Sequence, residues 1–124
     1  MNYRLVTSHN QTYLECLPDG DRLASEREAL ELVAACGENE TARLMVHAAS
    51  LVEDFYHIKT GLAGSILQKF NTYPIRCAMI LNPKLVHLGH FRDMVIEANR
   101  GNQFHIFYDQ EPAEQWLVGI DLTF

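Results

Sequence analysis

Apolar and polar positions alternate along the first sixteen residues and then change rhythm. Residues 3–7 and 12–16 read as two extended segments, joined by the polar Ser8-His9-Asn10-Gln11 at hairpin length. In the second segment Tyr13 and Glu15 share one face, and Leu14 and Cys16 the other. Pro18-Asp19-Gly20-Asp21 breaks the strand. The period then becomes helical. Ser25-Glu26-Arg27-Glu28 has the form of a capping box, Ala29, Leu30, Val33 and Ala34 follow at helical spacing, and Gly37 is expected to stop the helix.

Residues 44–48 form a near-continuous apolar run of strand length, as a strand covered on both faces requires. A loop rich in functional groups follows over residues 50–60. A helix is predicted from Gly61 to about Asn71, with Leu62, Ile66, Leu67 and Phe70 on one face and Leu67 turned to the sheet. Tyr73-Pro74 closes it, because a residue before proline is driven out of the helical region. Residues 75–81 are a second buried strand. After the turn at Asn82-Pro83, Phe91, Met94, Val95 and Ala98 mark another helical stripe, which ends at residues 99–102. Residues 104–108 make the last strand, and Asp109 is placed to cap a short helix through Trp116 and Leu117.

The order β-β-α-β-α-β-α-β-α implies right-handed crossovers. The expected fold is α/β: a mostly parallel sheet with an antiparallel N-terminal edge and about four helices. At 124 residues, with no internal linker, repeat or low-complexity stretch, residues 1–124 are read as one domain.

Charge narrows the partners. Ten basic against sixteen acidic side chains give −6, which argues against a grip on nucleic acid. No apolar run approaches the ~20 residues needed to span a bilayer, and the first twenty lack the pattern of a signal peptide. Cys16, Cys36 and Cys77 are an odd number without close spacing, so reduced thiols and a cytoplasmic setting are expected, with Cys36 and Cys77 in the core.

The chemistry is thin. Thr60-Gly61-Leu62-Ala63-Gly64 lacks the lysine of a phosphate loop and the spacing of a dinucleotide fingerprint. Gly61 and Gly64 are read as letting the helix start pack close to the sheet. Six histidines form no metal pattern: His87 and His90 are separated by Gly89, and no H-E-x-x-H occurs. No metal and no cofactor are expected. His47 and His105 fall in strands and are expected to be hydrogen-bonded or at an edge. Asp54, His57, Lys59, Thr60 and Gly61 cluster in a loop leaving the carboxyl end of a strand, where open α/β sheets bind ligands. No G-x-S-x-G elbow presents a serine beside them. Arg100-Gly101-Asn102 reads as a helix terminus with Gly101 left-handed, at the opposite edge of the sheet.

Two stretches carry a resemblance. Residues 55–64 with 66–70, and Glu97-Ala98-Asn99-Arg100-Gly101-Asn102, together with residues 35–39, resemble an uncharacterised bacterial domain-of-unknown-function family over roughly residues 3–118. More distantly, the element order resembles that of the anti-sigma-factor-antagonist (STAS) fold. There a phosphorylated serine precedes a Gly-Leu helix start, and the matching position here is Thr60 before Gly61-Leu62, although Ile58-Lys59 replaces the Asp-Ser of that pattern. That resemblance implies a regulatory or protein-binding module, with a protein partner or a second copy of the chain. The competing expectation is a small-molecule or anion-binding enzyme using the loop 54–60.

Overall fold

The computed structural model describes residues 1–86 and 89–119. Its first turn sets the hairpin. His9 and Asn10 both have positive φ, 51° and 64°, the pairing of left-handed residues whose twist suits two antiparallel strands. It joins β1 (Tyr3–Ser8) to β2 (Gln11–Cys16) with Ser8 opposite Gln11. The remaining elements follow as α1 (Glu26–Glu38), β3 (Arg43–His47), α2 (Leu62–Thr72), β4 (Arg76–Ile80), α3 (Phe91–Ala98), β5 (Phe104–Phe107) and α4 (Gln110–Leu117). The sheet order is β1-β2-β3-β4-β5, antiparallel only at β1–β2 and parallel elsewhere. The architecture is the mixed α/β one expected from the pattern.

This order decides where the helices lie. Each parallel crossover advances the same way across the sheet, so right-handedness puts α1, α2 and α3 on one face. There Leu14, Leu44, Val46, Cys77, Met79 and Ile106 meet Leu32, Ile66, Phe70, Phe91 and Val95 in the main core. Among the described residues, α4 follows β5 and covers the second face. Tyr13, Met45, Ala78 and Ile80 pack there against Ala113, Leu117 and Val118. All three cysteines are buried free thiols. Burial pushes the Cys36 thiol up to about 11 and holds the Cys77 thiol well above its ordinary value.

Several local expectations change. Ser25 does cap α1, but its hydroxyl oxygen accepts the Arg27 N–H at 3.2 Å, while Glu28 accepts from the Ser25 hydroxyl and the Ala24 N–H. Gly37 does not end that helix. It continues to Glu38, because the Asn39 side-chain amide donates to the Ala35 carbonyl at 2.8 Å and Glu40 takes the left-handed turn at φ 55°. Gly101 is not left-handed either. The Asn99 side chain accepts the Ile106 N–H at 2.7 Å and guides the chain from α3 to β5 without a reversal at glycine. On α2 the sheet-facing residues are Ala63, Ile66 and Phe70, whereas Leu67 is only half-buried. Neither Gly61 nor Gly64 has a neighbour within 4 Å of where a Cβ would stand, so close packing is not their role. Gly61 is instead the N-cap residue, left-handed at φ 76°, and α2 starts one residue later than expected.

Candidate functional site

Between β3 and α2 the chain makes three single 3₁₀ turns, Ala48–Ser50, Glu53–Tyr56 and Ile58–Thr60. Phe55 and Tyr56 anchor them, Phe55 packing edge-on and Tyr56 tilted against Phe91 at the start of α3. The polar residues stay outside. Asp54, His57, Lys59, Thr60 and Gly61 are all exposed. His57 Nε2 lies 3.5 Å from Glu53, one helical turn back. The Thr60 hydroxyl lies 2.8 Å from the Asp54 and His57 carbonyls, to which it donates, and its oxygen accepts the Leu62 N–H at 3.2 Å. Thr60 thus helps start α2 from the position before the N-cap. Among the described residues, no hydrogen bond joins the Asp54 carboxylate to His57 or Thr60. The loop is an ordered surface turn whose side chains do not converge.

Polar side chains do converge on the second face of the sheet. Glu15, between Leu14 and Cys16 near the end of β2, is 3% exposed. Its carboxylate accepts from Arg4 Nε at 2.6 Å, faces His47 Nε2 at 2.7 Å and accepts from Gln110 at 3.4 Å. Burial alone would raise the Glu15 carboxyl; the bonds to His47 and Arg4 outweigh it and hold the group below the ordinary carboxylate range. The cluster ties β1, β2, β3 and the start of α4. Beside it Tyr13 donates to Glu114, and burial followed by that bond raises the phenol. His47 is hydrogen-bonded, and His105 lies on the edge strand β5, each one of the two expected settings. The His105 Nδ1 is buried without a partner between Phe107 and Trp116, and burial, then Arg76, lowers its pKa. His87 lies outside the described residues. Among the described residues no group of His, Cys, Asp or Glu side chains could hold a metal ion.

A concavity lies elsewhere. Between α2 and α3 runs an open groove of about 650 Å³. One wall is Gly64, Leu67, Gln68 and Asn71, which share a face of α2 at helical spacing. The other is Glu97, Ala98, Gly101 and Asn102, from the end of α3 and the turn after it. Phe70 and Phe104 line it, with the Gln103 amide held to the Phe70 carbonyl at 2.6 Å. The groove is mostly apolar, with carboxamide groups around it.

A family model described as a domain of unknown function (DUF4180) matches residues 8–117. The chain belongs to that family. No curated protein and no solved structure matches it. The DUF4180 match takes in both walls of the groove, and the two stretches that carried the family resemblance are what form them. Reading the motifs as lying at opposite edges of the sheet held for the loop 54–60 but missed the helix that leaves it. Eleven residues of α2 reach roughly 16 Å. That length carries Leu67, Gln68 and Asn71 from the loop to the turn at residues 99–103. The available signal was the small-and-amide face of α2, Gly64-Gln68-Asn71, beside the apolar stripe of Leu62, Ala63, Ile66 and Phe70. Among the described residues, no helix is long and apolar enough to cross a membrane.

Proposed function

We propose that this DUF4180 domain is a protein-binding module that takes a peptide segment of its partner in the groove between α2 and α3. One observation carries the reading: the groove between α2 and α3 is open and mostly apolar, while the loop side chains that an enzyme would need do not converge. Leu67, Phe70 and Phe104 offer apolar surface for side chains of the segment, and Gln68, Asn71 and Asn102 offer amides for its backbone. The reduced, buried thiols fit a cytoplasmic setting.

Regulation is placed at Thr60, the position the STAS resemblance picks out. Phosphorylation would remove the proton that the hydroxyl donates to the Asp54 and His57 carbonyls, and so loosen the entry to the helix that forms one wall of the groove. Thr60 is exposed, as a partner kinase would need.

Gly64→Gln tests the binding site. Gly64 shares the groove face of α2, and an added Cβ there meets nothing. The substitution fills the groove while replacing a poor helix former with a good one, worth about 0.5–1 kcal/mol in stability. The expected result is an unchanged or higher urea midpoint together with loss of whatever partner the wild type retains in a pull-down from its host. A partner retained equally by Gly64→Gln would place binding elsewhere.

A further inference from the structure

Among the described residues the outer side of β1 is an open sheet edge with a definite pattern. A two-residue turn makes its closing pair, Ser8 and Gln11, a hydrogen-bonded one. Alternation from there gives the inward bonds to Val6 and Arg4, and the Asn2 carbonyl, of the same parity, accepts the Leu17 N–H at 2.8 Å. The N–H and C=O groups of Tyr3, Leu5 and Thr7 therefore point away from β2. The side chains beside them are uncovered: Tyr3 is 37% and Leu5 46% exposed. The devices that usually blunt an edge are missing, since the six-residue strand has no proline, and its one charge, Arg4, is tied back to Glu15.

We propose that two copies of this chain associate by antiparallel pairing of β1 with β1, Leu5 of one opposite Leu5 of the other. Alternating donors and acceptors at strand spacing are matched only by another extended chain, and β1 matches itself. Centring the two-fold axis on Leu5 puts Tyr3 of one copy against Thr7 of the second and brings every outward group of residues 3, 5 and 7 into use, about six hydrogen bonds. Any other register leaves some of them unpaired. The same register sets aromatic Tyr3 against β-branched Thr7 on one side of the joined sheet, a favourable cross-strand pair. On the other side it sets Arg4 against Val6 of the second copy, so the two guanidinium groups do not face each other. The two five-stranded sheets become one of ten strands. Since β1 and β5 are opposite edges, both α2–α3 grooves stay open, and the dimer is a bivalent form of the module.

The test uses the full chain in sedimentation velocity, with cysteine cross-linking to read the register. Wild type is expected to be dimeric at high micromolar concentration. Leu5→Lys, which puts like charges face to face across the axis, is expected to be monomeric with an unchanged circular dichroism spectrum. Leu5→Cys is expected to form a disulfide-linked dimer with oxidised glutathione, because paired Cα atoms in such a site stand about 5.5 Å apart, within disulfide range. Thr7→Cys should not, since Thr7 pairs with Tyr3. Cys16, Cys36 and Cys77 are buried and give no background. A monomeric wild type overturns the proposal, whether or not its edge takes up a foreign strand. So does a dimer that survives Leu5→Lys, or one that cross-links equally well through Thr7→Cys.

Discussion

A carboxylate with almost no exposure is kept only if its bonds repay the lost hydration. Glu15 has partners on both oxygens, Arg4 on one and His47 with Gln110 on the other, so its ionised form is the stable one in the folded chain. Because the folded pKa lies below the ordinary value, its contribution is present in full above about pH 4.3 and is lost as the pH falls through the folded value. Glu15→Gln should cost about 2 kcal/mol at pH 7, the scale of a hydrogen bond to a charged group. The cost should shrink at acid pH, as the pH falls through the folded value and the wild-type carboxyl takes up its proton too. Urea melts of the two proteins at neutral and acid pH check this, and a penalty independent of pH would mean that packing, not charge, holds the site. Nothing in the local sequence singles out Glu15 for this role. It stands 32 positions from His47, and only the parallel register of β2 with β3 brings them to one face.

At the scale of elements, hydrophobic period predicts which segments are strands and helices, and element order predicts the sheet, because both follow from local sterics and handedness. How far each helix is rotated about its axis is another matter. Ile66 and Leu67 are adjacent apolar residues about 100° apart on α2, and either fits a stripe through Phe70. The structure gives the sheet to Ile66, fully buried, and leaves Leu67 on the groove. Ile66→Ala should therefore cost 2–5 kcal/mol, roughly the range for a fully buried large aliphatic, and Leu67→Ala clearly less. Equal shifts of the urea midpoint would contradict this rotation. The groove was illegible for a related reason: it is the space left between α2 and α3, and no single segment encodes a spacing. The loop 54–60 was conspicuous in sequence because its residues are chemically rich, yet rigid backbone turns hold those side chains apart.

Across the whole molecule the two faces of the sheet are unequally protected. Three helices and the 3₁₀ turns bury one face in an extensive core, whereas among the described residues α4 is the one helix on the other, which it seals with Ala113, Leu117 and the adjoining Val118. Hydrophobic burial scales with area, so the face sealed by one eight-residue helix should open at lower free energy than the main core. Against this, polar ties pin α4 at its middle and at its C-terminal end. Glu114 accepts from Tyr13 and Ser8, while Arg43 and Arg76 donate to the carbonyls of Leu117 and Trp116 at its C-terminal end, where a positive charge is favoured. Arg76 also lies 3.8 Å over the Trp116 ring. These ties latch the helix without enlarging its apolar contact. Native-state hydrogen exchange should show α4 amides opening before those of β3 and β4. Arg76→Gln should speed exchange in α4 by about tenfold, since one charged hydrogen bond and the stacking are together worth 1–2 kcal/mol or more. Because Arg76 lies on β4 itself, the decisive comparison is with β3: if its amides accelerate by the same factor as those of α4, the protein opens as one unit and the latch is not a separate cooperative element.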